Sequence, residues 1–249
     1  MICNSFANQG SIIHWVSNHR AHHLHADTDR DPHDSQRGFF YAHIGWLLIH
    51  KPKLVADACD KISVKDLYSD SVLLLQHYLY PWWDITWCFI VPALVGNYFW
   101  GESINNGILL PGVLRYCFGL HVTWSINSVL HRWGPTPYDT DAVSAECGIV
   151  AFLALGDGWH NWHHTFQWDY AGAELSALKQ FNPTKTFIDI MHYLGLAYNL
   201  RRANPRAWES LETRKLRELG PGYRVAEGIR GIPPFCYRNT SYVREDNYC

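Results

Sequence analysis

The chain has 249 residues and a formal net charge of −2, with 47% apolar and 15% aromatic residues. That length supports one large domain or two small ones with an ample core, and the near-neutral charge excludes the basic footprint of a nucleic-acid binder. The seven cysteines stand singly, without a Cys-x-x-Cys pair, so neither a disulfide scaffold nor a thiolate zinc site is expected.

In chain order, the first functional signal is HRAHH, which places His19, His22 and His23 in a His-x-x-His-His word. On a helix, positions i, i+3 and i+4 share one face, so the word presents three imidazoles together. Neutral imidazoles without thiolate or carboxylate partners suit iron or zinc first. Asp27, Asp29 and Asp31 follow, and with Asp157 they are candidates to hold the second ring nitrogen of a ligand histidine. Helix caps and turns use the same residues.

The stretch 85–100, ITWCFIVPALVGNYFW, carries no charge, and 107–130 is apolar except for Arg115, His121 and a few hydroxyls and amides. Both are expected to be helices able to cross a bilayer, with spans at about 84–101 and 107–127. The connector GESINN has a Glu and no Lys or Arg, whereas both outer flanks are basic, so the hairpin is expected to enter and return on the cytoplasmic side. Both histidine words then face one compartment. The many Trp and Tyr residues suit an interfacial aromatic belt.

Just beyond, INSVLHRWG spaces Asn127 and His131 at i, i+4. The second word, HNWHH, repeats the first pattern with His160, His163 and His164. Two such words arise by chance in roughly one chain of this composition in a thousand. Arg201, Arg202, Arg206, Arg214, Lys215 and Arg217 form a basic region with Glu209, Glu212 and Glu218 interspersed, suited to an acidic donor protein, to anionic lipid or to solvent. From residue 220 the Gly, Pro, Tyr, Arg and Asn mixture has no apolar period and is expected to be disordered. The expected organisation is a 1–219 domain with a 220–249 tail.

Through ANQGSIIHW, HRAHH, DTDRDPH, RGFFYAHIGWLL, TWSINSVLH, PYD, GDGWHNWHHTFQWDYAGAE and FIDIMHYLGLAYNL, the chain resembles the membrane acyl-CoA desaturases of the stearoyl-CoA Δ9 type. The resemblance implies an all-α integral membrane protein of the endoplasmic reticulum, whose transmembrane helices are capped by a cytosolic helical domain. That domain would hold two non-haem irons, which use O2 to place a cis double bond in a saturated acyl chain. By resemblance His19, His22, His23, His131, His160, His163 and His164 are iron ligands, and Asn127 reaches iron through water. Trp15, Thr123 and Trp124 resemble residues lining a bent acyl tunnel.

The sequence departs from that family in two ways. An upstream His-x-x-x-x-His box and its hairpin are not found: none of His14, His25, His33, His43, His50, His77, His121 and His192 pairs with another of these eight at that spacing. An incomplete ligand set predicts that this chain as written does not turn over. At the substrate handle, Ser17 and Asn18 stand where animal acyl-CoA enzymes place an Arg-Asp pair, which keeps acyl groups on lipids beside acyl-CoA as substrates. The resemblance further implies cytochrome b5 and its reductase as electron donors, since no haem motif or dinucleotide fingerprint is present. A related hydroxylase and a non-catalytic, metal-binding membrane protein are the other classes considered.

Overall fold

The computed structural model describes residues 1–139, 142–204 and 217, together with the backbone of 223–225 and 242–244. The chain is mostly helical and divides into two compact units, Met1–Trp124 and Ser125–Cys249, the division falling inside the helix Arg115–Ser128.

In the first unit, the helix Ile12–His25 starts where Ser11 Oγ accepts the His14 amide at 3.3 Å. A cap of this type stabilises a helix by about 1 kcal/mol. No Gly or Pro interrupts the helix, and it ends as Asp27 turns into the left-handed region at φ 57°. Buried Gln76, on Ser71–Leu79, ties several segments together. Its Oε1 accepts the Ile12 amide at 2.9 Å, and its Nε2 donates to Asn4 Oδ1 at 2.9 Å and lies 3.2 Å from Asp84 Oδ1.

The two apolar stretches are helical from 82 to 100 and from 104 to 128, each an α-helix opened by wide π turns at Thr86–Ile90 or Ile108–Leu114. Proline explains both openings. Pro92 has no N–H to return to Cys88, and Pro111 none to return to Gly107, so the ladder widens around them. Arg115 Nη2 donates to the Cys88 carbonyl at 2.8 Å, while Nη1 reaches the Phe6 carbonyl at 2.8 Å and Nε that of Pro111 at 2.7 Å. The one charge in an apolar stretch therefore lies on backbone carbonyls, among them that of Cys88, which Pro92 cannot serve. Gly107 lets the two stretches pass closely, because a Cβ there would stand 2.7 Å from Ala93 Cα.

Among the described residues, no helix is long and apolar enough to cross a membrane. The expected spans at 84–101 and 107–127 fall on this hairpin. The hairpin is present, but each limb is a chain of shorter helices joined through its proline-linked π turn.

The second unit carries the helices Gly148–Leu153, His160–Thr165 and Pro183–Tyr193 among long ordered loops. Small apolar clusters hold it: Tyr138, Trp162, Phe166 and Ala203 in one, and Ile126, Leu130 and Val150 in another. Burying a side chain such as Phe166 contributes about 2–3 kcal/mol. Polar hubs supply the rest. Asp169 accepts from Trp162 Nε1 at 3.1 Å, from the Ala171 amide at 2.9 Å and from Arg202 Nη1 at 3.2 Å. Arg202 also donates to the Ala173 and Glu174 carbonyls, so it acts as a structural clasp.

Within the tail, Tyr223–Val225 pairs antiparallel with Tyr242–Arg244, a short ordered element in a stretch expected to be disordered and an exception to all-α. The basic residues Arg206, Arg214 and Lys215 and the rest of the tail lie outside the described residues.

Candidate metal centre

The first unit presents its histidines on Ile12–His25. His23 Nε2 lies 3.0 Å from His19 Nε2, the i, i+4 pair that one helical face dictates. His22, one residue earlier, is buried, and its Nδ1 lies 2.9 Å and 3.0 Å from the two carboxylate oxygens of buried Asp31. His33, an imidazole outside both words, packs on His22 with ring centroids 4.2 Å apart and lies 3.7 Å from Asp31. Of the four carboxylates considered for holding a ring nitrogen, Asp31 is the one that lies against His22, while Asp29 and Asp157 are exposed. Asp27 Oδ1 accepts the Ser35 amide at 3.3 Å.

The second unit gathers three more imidazoles. His131 Nε2 lies 3.1 Å from His160 Nε2, which lies 3.0 Å from His164 Nε2. His131 and His160 are both buried. His163 sits on the same helix and is held neutral, its pKa pushed down to about 4 by burial and by nearby His131, against the pull of Asp169. A neutral imidazole is the form that binds a metal.

Several contacts place the second word. Asn161, inside it, makes four hydrogen bonds: Oδ1 accepts the Tyr138 and Asp139 amides at 2.8 and 3.1 Å, and Nδ2 donates to the Asp139 and Ser144 carbonyls at 3.0 and 2.8 Å. The PYD segment is thereby clamped to HNWHH. Gly158 passes so close to Ala151 N and the Cys147 carbonyl that no Cβ fits, and the Cys147 amide donates to its carbonyl at 2.9 Å. Glu146 lies opposite Trp159, and its carboxyl accepts the Trp162 amide at 3.4 Å. Burial pushes that carboxyl up to about 8, so it is mostly protonated at neutral pH.

The donor sets fit a hard-to-borderline transition metal. Two nitrogens each ~2.1 Å from one ion stand ~3.0 Å apart when at right angles and ~3.4 Å apart when tetrahedral. The separations of 3.0 and 3.1 Å match the right-angled case. His160 Nε2 has one proton position and two imidazole neighbours, a crowding that a shared cation satisfies at once.

The remaining candidates sit as follows. Trp15 stacks on His19 at 4.6 Å and 19°, a partner that its assignment to a tunnel wall did not anticipate. Thr123 Oγ1 donates to the Gly119 carbonyl and accepts from Gln9 Nε2 at 2.9 Å. Trp124 is buried edge-on to His43 and His121, whose rings meet at 3.0 Å between Nε2 and Nδ1. Asn18 takes the Lys51 ammonium on its Oδ1 at 2.6 Å and donates to the His14 carbonyl and to His14 Nε2. Ser17 is half-buried beside it, and Asn127 is half-buried in the last turn of Arg115–Ser128.

Sequence reasoning missed Asn161, Glu146, Asp169 and His33. The repeated NWHH context pointed at Asn161, but nothing local announced the others.

Imidazoles arrayed in this way could hold a metal ion, and comparison with known proteins gives the chain's lineage. Residues 2–181 match the family model described as fatty acid desaturase, and the chain belongs to that family. It is 43% identical over 216 residues to human stearoyl-CoA desaturase 5, covering 87% of this chain and 64% of that protein. It is 43% identical over 199 residues to the Caenorhabditis elegans Delta(9)-fatty-acid desaturase fat-7, covering 80% of this chain and 58% of the relative. It is 41% identical over 230 residues to the Bombyx mori (11Z)-hexadec-11-enoyl-CoA conjugase, covering 92% and 68%. The chain thus spans somewhat less than two thirds of the stearoyl-CoA desaturase 5 chain.

Proposed function

We propose that the protein is an O2-dependent fatty acid desaturase that introduces a cis double bond, Δ9 by relation to fat-7, into a saturated acyl-CoA. The observation that carries this reading is the paired histidine words, each folded so that imidazole Nε2 atoms gather at about 3.0 Å, in a chain of the desaturase family. His19, His22 and His23 with His131, His160, His163 and His164 would together hold two irons, with Asn127 contributing through water. When bound, non-haem iron supplies the O2 reduction and C–H cleavage that no side chain can perform. The protein's part is to keep the imidazoles neutral, as at His163, to orient them, as Asp31 does for His22, and to exclude water.

Trp15, Thr123 and Trp124 are proposed to wall the acyl chain, with Ser17 and Asn18 at its polar end. The Lys51 ammonium beside Asn18 favours a phosphate-bearing carrier such as CoA over a glycerolipid. Insertion in the endoplasmic reticulum membrane, histidines on the cytosolic face, is part of the same reading. It is supported by the uncharged 85–100 stretch and by the exposed aromatics Tyr98, Phe99 and Trp100 where that limb ends. Electrons are proposed to come from cytochrome b5 and its reductase.

The test is expression of the complete reading frame in a yeast lacking its own desaturase, followed by mass spectrometry of the acyl chains. A cis-monounsaturated product that disappears with His163→Ala is expected. A hydroxylated product, or a double bond that survives His163→Ala, contradicts the reading.

A further inference from the structure

The carboxylate of Asp31 occupies a special place: buried, on the loop after the first histidine helix, with three donors converging on its two oxygens. The Asp27 amide donates to Oδ2 at 2.7 Å and the His33 amide to Oδ1 at 3.0 Å. The third neighbour is His22 Nδ1, within 3.0 Å of both oxygens. An ionised carboxylate only accepts, so this arrangement is complete when His22 carries its proton on Nδ1. A proton on Nδ1 leaves the lone pair on Nε2.

We infer that Asp31 is a positioning residue for His22: it fixes the Nδ1–H tautomer and the ring plane, so that Nε2 is the metal-binding atom. The backbone donors explain why the carboxylate is itself pinned, for they hold the loop 27–33 around it as an Asx-type turn holds its side chain. The inference deepens the proposed metal role of His22 and rests on it. It names one carboxylate among the several that flank the histidine words.

Two measurements on the full chain in detergent test it. In the metal-free protein, ¹⁵N-histidine NMR, with His22 assigned by its loss in His22→Ala, should report protonated Nδ1 and unprotonated Nε2. A His22 that carries its proton on Nε2 overturns the inference whatever the metal does. Titration with Co(II) alone should then show Asp31→Asn binding roughly 10–100-fold more weakly, with no further loss when the same change is added to His22→Ala. An equal loss in the His22→Ala background means that Asp31 acts on the fold and not through His22, and overturns the inference. If the wild-type chain binds no Co(II) while His22 keeps the Nδ1–H tautomer, the arrangement around Asp31 stands and the metal reading under the proposed function falls.

Discussion

Arg115 donates from Nη2 to the carbonyl of Cys88 at 2.8 Å, the carbonyl that Pro92, four residues on, cannot serve. A charge on an apolar helix and a proline in its neighbour, each costly alone, thus compensate one another across the hairpin. Replacing Arg115 with Leu leaves the Cys88 and Phe6 carbonyls without this donor. It should destabilise the chain by ~2–4 kcal/mol, read as a lower thermal midpoint in detergent, and Arg115→Lys should recover only part because one ammonium cannot reach every carbonyl. An unchanged midpoint for the Leu variant would show that the pairing is incidental.

Asn161 is the counterpart in the second unit. Its four backbone hydrogen bonds make it a clamp and not a ligand, although it lies between His160 and His163. Asn161→Asp presents an acceptor to the Asp139 and Ser144 carbonyls, and should cost ~2–4 kcal/mol while lowering metal content. Stability and iron content measured on the same preparation check this, and loss of either without the other would separate the clamp from the site.

Gly158 makes the approach to His160 possible. Gly158→Ala drives a methyl into the backbone at Ala151 and Cys147, so the segment must shift and carry His160 away from His131. The expected result is at least a tenfold loss of Co(II) affinity, whereas Ala substitution at half-buried Gly119, where a Cβ meets nothing within 4 Å, should leave affinity unchanged.

The buried Glu146 carboxyl sets a pH dependence whose sign follows from its environment. Its folded pKa, about 8, lies above the unfolded value, so the folded chain binds the extra proton and stability falls as pH rises from about 4.5 to about 8. Glu146→Gln removes that titration. Between pH 5 and pH 8 the wild type should lose ~2–4 kcal/mol more than the variant, measurable by denaturant unfolding at the two pH values. Parallel curves would mean that Glu146 is ionised in the folded chain.

Much of the site was legible because histidine spacing and helix period speak the same language. Ser11 before an uninterrupted helical run places His19, His22 and His23 on one element, and HNWHH does the same for the second word. Long apolar runs likewise announced the hairpin. What sequence did not show depends on partners far apart in the chain: the π turns that divide the limbs, Asn161 reaching back to the PYD segment, Asp169 binding Arg202, and Trp15 lying on His19. The aspartates around the first word show the limit most plainly. Asp27, Asp29 and Asp31 are equivalent as sequence, and only the loop geometry brings Asp31 onto His22.

The central claim is that the two histidine words serve one bimetallic centre, and the measurement that tests it most directly is a double-mutant cycle on iron content. Iron per chain is measured for the full-length protein, His22→Ala, His160→Ala and the double variant. The account predicts that either single substitution empties the centre and that the double variant loses nothing further. Independent, additive losses, one iron for each word, would show two separate sites and contradict it.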